Sequence, residues 1–108
     1  MRGRTHKYGA VKTVLDGITF DSKAEASRYA ELRFMEKAGA ITALKLQPVF
    51  PIVIGGKKVC AYRADFSYRA AGVEVVEDVK GFETPVFRLK KKLVEASYPG
   101  TTIAVVKS

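Results

Sequence analysis

Two aspartates on neighbouring strands are the residues of this sequence best placed to do chemistry. Bulky and polar residues alternate over residues 62–68 and again over 73–81, and the four residues between these runs can turn the chain. The pattern predicts two antiparallel strands. With the turn centred there, Asp65 lies across from about Val76, one diagonal step from Asp78, roughly 7–8 Å between α-carbons. Two carboxylates this close repel each other unless a positive charge lies between them.

Hydrolysis of a phosphodiester fits this arrangement, because a hard divalent cation on oxygen ligands places a water in line and neutralises the phosphate. Asp65 and Asp78 would hold the cation, with the backbone carbonyl of Val79 as a third oxygen. Lys80 shares a face with Asp78 and would orient the attacking water or stabilise charge on the phosphorus. Glu77 points to the other face of a regular strand, and only a bulge would exchange it with Asp78, so we rank Glu77 second.

Glu25 lies in the first turn of a helix predicted from Asp21 and Ser22 to about Ala38, where Gly39 ends it. Two roles are open for its carboxylate. Residues 22–25 fit a capping box, in which the glutamate bonds the backbone of the N-cap residue. Alternatively, Glu25 completes or flanks the metal site formed by the two strands. The local sequence alone favours capping, whereas the two aspartates on the neighbouring strands favour metal ligation.

Two further hairpins and a strand are predicted before the central pair. Asp16 and Gly17 suit a two-residue turn, so we assign Asp16 to turn formation and not to catalysis. A strand over residues 41–47 is followed by a hairpin that turns at Gly55 and Gly56. The second arm of that hairpin runs into the first central strand.

A second helix follows the central strands. Thr84 supplies a hydroxyl N-cap and Pro85 occupies the first helical position, so the helix is predicted to run to about Ser97, before a last strand over residues 101–106. Its predicted buried stripe consists of Val86, Leu89, Leu93 and Ala96.

Basic residues cluster in an N-terminal arm, residues 1–9, and in the second helix. We predict phosphate contacts for both, with a solvated surface as the alternative for the helix and an untethered terminus as the alternative for the arm. The candidate DNA-binding residues are Arg2, Arg4, Lys7, Arg88, Lys90, Lys91 and Lys92.

Composition limits the class of protein. A chain of 108 residues has room for one core, so residues 10–108 are predicted to form a single domain after the arm. The 47% hydrophobic content argues against a disordered chain. Nineteen basic against eleven acidic residues give a net charge of +8, which favours a polyanionic partner, usually nucleic acid.

Several kinds of protein are disfavoured. No apolar run approaches the roughly 20 residues of a membrane span, and the basic residues at the N-terminus precede no apolar segment, so we expect no signal peptide. The single cysteine, Cys60, favours a reducing compartment, the cytoplasm by default. The single histidine, His6, excludes a histidine-pair metal site and a Ser-His-Asp triad within one chain.

Four short motifs give the sequence a family resemblance. Residues 20–25 (FDSKAE), 46–48 (LQP), 62–66 (YRADF) and 77–81 (EDVKG) occur in an order and spacing that resemble the PD-(D/E)XK nuclease superfamily. More narrowly, they are similar to small phage-encoded endonucleases related to the endonuclease I type of Holliday-junction resolvase. The resemblance covers roughly residues 8–106, nearly the whole chain.

The resemblance implies an α/β (α+β) fold, with a mixed central sheet flanked by two main helices in a restriction-endonuclease-like core. It also implies dependence on Mg²⁺ or Mn²⁺, cleavage that leaves 5′-phosphate ends, and a homodimer with two active sites. By position, Glu25, Asp65 and Asp78 match the metal-binding acids of the family, and Lys80 matches its catalytic lysine.

The sequence departs from the family pattern at two positions. Ala64 stands where the superfamily name has proline, a residue that does no chemistry. Gln47 stands where relatives of the endonuclease I type can carry a further acid, so Gln47 is a second-rank site residue and a second metal there is in doubt.

The hypothesis is a Mg²⁺-dependent endodeoxyribonuclease that acts on branched or structured DNA, in the cytoplasm of the host cell if the protein is phage-encoded. The alternative from another class is a non-catalytic nucleic-acid-binding module. A sequence-specific restriction-type nuclease is less favoured, because 108 residues leave little room for loops that read bases.

Overall fold

A mixed four-stranded β-sheet with one helix against each face forms the centre of the computed structural model, which describes residues 11–108. In chain order its elements are β1 (Thr13–Leu15), β2 (Ile18–Phe20), α1 (Lys23–Lys37), β3 (Thr42–Leu46), β4 (Val49–Ile54), β5 (Lys57–Arg63), β6 (Phe66–Ala70), β7 (Val73–Lys80), α2 (Pro85–Ser97) and β8 (Thr101–Lys107). The predicted fold class, a mixed sheet flanked by two main helices, is confirmed. The predicted arm, residues 1–9, lies outside the described residues.

The strand order of the central sheet is β3-β6-β7-β8. The β3–β6 and β6–β7 pairs are antiparallel, whereas β7 and β8 are parallel and are joined through α2. A parallel pair needs such a crossover, because a tight turn cannot return the chain in the same direction. The β1–β2 and β4–β5 hairpins form separate two-stranded sheets. None of the helices within residues 11–108 has the length and apolar character to cross a membrane.

The ends of α1 follow from its capping residues. Ser22 is the N-cap, and its hydroxyl accepts a hydrogen bond from the Glu25 amide at 3.1 Å. Gly39 follows the C-cap residue Ala38 with φ of +82°, a conformation that glycine adopts without strain. The predicted start and end of this helix are confirmed.

The central hairpin forms, but its predicted register is wrong by two residues. We expected a four-residue turn that places Asp65 across from Val76. Instead, Ala71 and Gly72 make a two-residue turn with φ values of +52° and +78°, and Phe66 pairs with Glu77. Positive φ at both central positions is the backbone of the tight hairpin turns that match strand twist. A slip of two residues keeps every side chain on its predicted face.

The predicted strand over residues 62–68 is divided. β5 ends at Arg63, β6 begins at Phe66, and residues 64–65 carry the chain from the β4–β5 hairpin into the central sheet. Backbone bonds hold the crossing point, with the Ala64 amide on the Pro48 carbonyl at 3.0 Å and the Asp65 amide on the Glu77 carbonyl at 3.1 Å. Asp65 therefore lies at a junction between two sheets.

Two apolar cores lie on opposite faces of β7, because alternate residues of a strand point to opposite sides. Val75 and Val79 pack into the core that includes α1, and Val76 belongs to the core that includes α2. On α2 the buried residues are Phe87 and Val94.

The predicted buried stripe of α2 is therefore wrong in phase. Val86 and Leu89 are 62% and 58% exposed, Ala96 is exposed, and Leu93 alone of the four packs against the core. The face that is buried contains Lys90, whose ammonium group donates to the Ala61 carbonyl at 3.0 Å. A lysine can occupy a largely apolar face in this way, because its stem packs while its charged end finds an acceptor.

Candidate active site

Asp65 is fixed by the edge of β7 that extends past the end of β6. Its Oδ2 accepts a hydrogen bond from the Val79 amide at 2.7 Å. β6 begins at Phe66, opposite Glu77, so β6 has no residue that could pair with Val79. The Asp65 side chain takes the place of that missing strand partner. The amide and carbonyl of one strand residue point to the same edge, so the Val79 carbonyl also faces this side.

Asp78 lies beside Asp65, but it is buried, with 3% of its surface exposed. Its Oδ2 accepts a hydrogen bond from the Tyr62 hydroxyl, and its Oδ1 is 3.8 Å from Lys80 Nζ. Burial, followed by hydrogen bonding to and repulsion from Asp65, raises the pKa of Asp78 above its ordinary value, while the Tyr62 hydroxyl and Lys80 oppose that rise. Sequence pattern therefore predicted the proximity of the two aspartates, and the structure brings them together.

Glu25 reaches the same site from α1. Partial burial raises the pKa of Glu25 to about 7, with further contributions from Asp65, Asp21 and Asp78, opposed by Lys80. Of the two halves of a capping box, the structure has the bond from the Glu25 amide to Ser22, and no bond from the Ser22 amide to the Glu25 carboxylate is present in the described part of the chain. We call Glu25, Asp65 and Asp78 the acidic cluster.

A cleft of about 230 Å³ opens beside the acidic cluster, and its walls include Glu25 and Asp65. Gln47 also lines it, and the backbone N–H of Gln47 donates to the Asp65 backbone carbonyl at 2.9 Å. Asp78 and Lys80 are not among the residues that line the cleft. The cluster is thus approached through Glu25 and Asp65, with Asp78 behind them. Gln47 has a place at the predicted site, as an amide and not as an acid.

Glu77 faces the opposite side of β7 from Asp78. It is 2% exposed, and both of its carboxylate oxygens accept hydrogen bonds from Arg28 of α1 at 2.7 Å, with Tyr68 as a further donor. The pairing of β7 with β6 and with β8 is regular throughout, so no bulge exchanges the two acids. Glu77 therefore forms a structural ion pair that links the sheet to α1.

Lys80 is held beside the acidic cluster by two contacts. Its ammonium group lies 3.8 Å from Asp78 Oδ1 and 4.8 Å from the centre of the Phe87 ring, a distance suited to a cation–π interaction. Phe87 also packs on Tyr62, with ring centres 6.2 Å apart. Tyr62 and Phe87 thus form a layer beneath Asp78 and Lys80.

The roles of Tyr62 and Phe87 at the site were not predicted from the sequence. Nothing in the local sequence distinguishes Tyr62 from an ordinary core tyrosine, because its contact with Asp78 depends on where β5 folds against β7. The sequence does contain a signal for Phe87. The α2 residues Phe87 and Val94 lie on one apolar face of the helix, which differs from the predicted buried stripe.

The predicted DNA-binding residues of α2 fall into two groups. Lys90 is bound to the Ala61 carbonyl, and Lys91 forms a salt bridge with Glu95 at 3.1 Å. Arg88 and Lys92 are exposed, and neither has a salt bridge to any residue between 11 and 108. Arg2, Arg4 and Lys7 lie outside the described residues.

The donor set of the acidic cluster suits a hard divalent cation, because all of its donors are oxygens. As they stand, no three His, Cys, Asp or Glu side chains of residues 11–108 are arranged to hold a metal ion. Burial raises the pKa of both Glu25 and Asp78, and repulsion from neighbouring carboxylates adds to the rise; a bound cation would relieve that repulsion. Glu25, Asp65, Asp78 and the Val79 carbonyl are the groups that would hold it.

We expect Tyr62→Phe to lower the free energy of unfolding by about 1–3 kcal/mol at pH 8, because the buried Asp78 carboxylate loses a donor. Burial and the bond to Asp78 raise the pKa of the Tyr62 hydroxyl, so the phenol stays protonated and donating at this pH. Urea unfolding measures the effect. Tyr98→Phe is the matched control, because the Tyr98 hydroxyl donates to the Pro51 carbonyl in an exposed position and should contribute about 1 kcal/mol or less. Equal losses in both variants would contradict a special role for Tyr62.

We expect Glu25→Gln to stabilise the protein at pH 8 and not at pH 4. The folded-state pKa of Glu25 is raised to about 7 from 4.5, so stability from its protonated form is complete below about pH 4.5 and is lost as the pH rises to 7. Glutamine removes that loss, with a gain of about 1 kcal/mol at pH 8 once solvent screening of the half-exposed side chain is allowed for. Urea unfolding at both pH values tests this, and a gain that is the same at both would contradict it.

These features define a mixed α/β protein with an acidic site where β7 extends past β6. The family described as "Protein of unknown function (DUF1064)" matches residues 5–108, so the chain belongs to that family. A search of curated proteins finds no match to the chain.

Proposed function

We propose that the protein is a metal-dependent DNA endonuclease that hydrolyses phosphodiester bonds in branched or structured DNA, in the manner of a Holliday-junction resolvase. One observation carries the proposal. Three carboxylates, from α1, the β5–β6 junction and β7, converge beside a lysine at one end of the sheet. Grouping like charges in this way costs stability, and such groups are enriched at functional sites.

In the proposed hydrolysis, the three carboxylates and Lys80 have separate roles. Mg²⁺, or Mn²⁺ in its place, would when bound lower the pKa of a water and neutralise the scissile phosphate. Asp65 and Asp78 are its proposed ligands, with Glu25 at the mouth of the cleft. Lys80 is proposed to orient the attacking water or to stabilise the charge that develops on the phosphate oxygens. Phe87 and Asp78 hold its ammonium group in position for that role.

The proposed partner is DNA, and the proposed assembly is a homodimer. A net charge of +8 and the exposed Arg88 and Lys92 favour contact with phosphates. Two active sites are needed to cut two strands at one branch. Val86 and Leu89 add exposed apolar surface on α2 that a second copy could bury. We propose the cytoplasm as the compartment, that of the host cell if the protein is phage-encoded.

A non-catalytic nucleic-acid-binding module is the second candidate. The observations that favour it are the burial of Asp78 and its hydrogen bond to Tyr62, which resemble a satisfied structural carboxylate. This candidate predicts salt-sensitive binding of DNA with no metal-dependent product.

The test compares a labelled four-way junction with a linear duplex of the same sequence, each with Mg²⁺, Mn²⁺ or EDTA. Cleavage of the junction that needs metal and leaves 5′-phosphates is the expected result. Binding without cleavage under every metal condition would exclude the nuclease and favour the binding module. Cleavage of one sequence in linear duplex, with no preference for the junction, would indicate a restriction-type enzyme instead.

A further inference from the structure

An exposed aromatic side chain, Phe82, follows Lys80 closely in the chain. Phe82 is 73% exposed and lies two residues after Lys80, in the loop of residues 81–84 that joins β7 to α2. Isolated exposed apolar residues are common on protein surfaces and need no explanation by themselves. The position of Phe82 is the informative feature, because at most about 7 Å of chain separates its α-carbon from that of Lys80.

The loop that carries Phe82 is anchored at both ends. At its start, the Ser108 amide donates to the Lys80 carbonyl at 3.1 Å, and a side chain at Gly81 would meet the Ser108 hydroxyl at 3.1 Å. At its end, the Thr84 hydroxyl accepts from the Phe87 amide at 3.1 Å. The backbone is therefore held while the ring projects, which lowers the entropic cost of binding something against it.

The residues near Phe82 in sequence and in strand register are mainly basic. Lys80 and Lys107 are neighbours in the parallel β7–β8 register, and Arg88 is exposed one turn into α2. The first turn of α2 has no acidic residue, so the positive end of its dipole is not offset there. Glu83 is the acid of this loop, and it lies 3.4 Å from Lys107 Nζ.

We propose that Phe82 stacks on an unpaired nucleobase next to the phosphate that Lys80 contacts, so that the substrate class is DNA with an unstacked base at a branch or in a single-stranded segment. An aromatic face among cations is the usual construction of a single-strand binding surface, because the ring takes a base and the cations take the backbone. A fully paired duplex keeps its bases stacked and offers Phe82 no such partner. The proposal rests on the proposed function and specifies its substrate.

Charge disfavours a second copy of the chain as the occupant. A two-fold contact centred on Phe82 would bring Lys80 and Lys107 of one copy towards the same residues of the other, in a chain of net charge +8. An anionic partner removes that repulsion.

The first test uses tryptophan fluorescence. The chain has no tryptophan, so Phe82→Trp introduces a single tryptophan, which can be excited selectively over the five tyrosines. In an Asp65→Asn background with EDTA, we expect a single-stranded oligonucleotide and a four-way junction with unpaired bases to quench its emission, and a linear duplex to quench it much less. Phe34→Trp is the matched control, because Phe34 is 74% exposed and lies nine residues along α1 from Glu25, about 13 Å away. Its emission should not change.

The second test measures binding. In the same background, Phe82→Ala should weaken binding of the single strand and the junction about tenfold, the scale of one base–aromatic stack, and change duplex binding less than about twofold. Phe82→Tyr should restore affinity, and Phe34→Ala should have no effect. Sedimentation equilibrium of Phe82→Ala is measured alongside, because a change from dimer to monomer would assign Phe82 to a protein contact instead.

The two proposals can fail separately, because both stacking tests use a variant without cleavage activity in the absence of metal. Equal quenching by duplex and single strand would overturn the stacking proposal and leave the nuclease intact. Selective quenching together with a wild-type protein that cuts nothing would overturn the nuclease and leave base stacking in place.

Discussion

Asp65→Asn should reduce the rate of Mg²⁺-dependent junction cleavage by at least about 10³-fold, equivalent to about 4 kcal/mol of transition-state stabilisation. Asp65 is the cluster acid that both lines the cleft and touches β7, so its charge lies where a cation and a phosphate would meet. The asparagine oxygen can still accept the Val79 amide, so the fold should survive the change. Single-turnover cleavage of a labelled junction measures the rate, and circular dichroism checks the fold.

Asp21→Asn is the matched control for this experiment. It removes the same charge from a residue close enough to raise the pKa of Glu25, but Asp21 is exposed and pairs with Lys12 at 3.2 Å. Its cleavage rate should stay within about fivefold of wild type, since one exposed charge contributes at most about 1 kcal/mol. Mg²⁺ should also raise the midpoint of thermal unfolding in wild type and Asp21→Asn but much less in Asp65→Asn. Cleavage by Asp65→Asn at the wild-type rate would contradict the proposed nuclease function.

Arg28→Met should lower the free energy of unfolding by about 3 kcal/mol, because it leaves the Glu77 carboxylate buried without its cation. Tyr68 still donates to Glu77, which places the loss at the lower end of the range for broken buried pairs. Urea unfolding at pH 7 measures it. Methionine keeps most of the stem of the arginine, so the change tests the charge and its hydrogen bonds more than the packing.

Two further variants separate the buried pair from ion pairs in general. Arg33→Met breaks a bond of 2.9 Å to Glu36 on the same helix, where both side chains are partly exposed, and should cost less than about 1 kcal/mol. Adding Glu77→Leu to Arg28→Met should recover part of the loss, because no unpaired charge then remains in the core. An Arg28→Met loss no larger than that of Arg33→Met would show that the buried pair does not stabilise the fold.

Local signals were enough to predict most of the elements and the meeting of Asp65 with Asp78. The centre of the turn was placed one residue too early, which shifts the register by two, yet the aspartates still meet, because an even slip preserves the face of each side chain. The same alternation predicted that Glu77 and Asp78 would point in opposite directions. Patterns with a period of two are robust to this kind of error.

The remaining features depend on contacts between elements that are distant in sequence. No local signal places the division of the strand at residues 64–65, which is set by backbone bonds to Pro48 and Glu77. On α2, two apolar stripes compete, and the β4–β5 hairpin together with the central sheet buries the one that contains Phe87. Lys90 lies on the buried stripe, and this made the stripe hard to recognise in the sequence, since a lysine normally predicts a solvent-exposed helix face.

The hydrogen bond between Val79 and Asp65 makes the hydrogen-exchange rate of one backbone amide depend on a side chain. Other inner amides of a sheet are protected from hydrogen exchange by strand carbonyls, whereas the Val79 amide is protected by a side chain of the candidate active site. Its exchange rate should therefore follow events at Asp65 while the amides of Val75 and Val76 in the same strand report the stability of the sheet. A single-residue exchange measurement can thus separate occupancy of the site from unfolding of the protein.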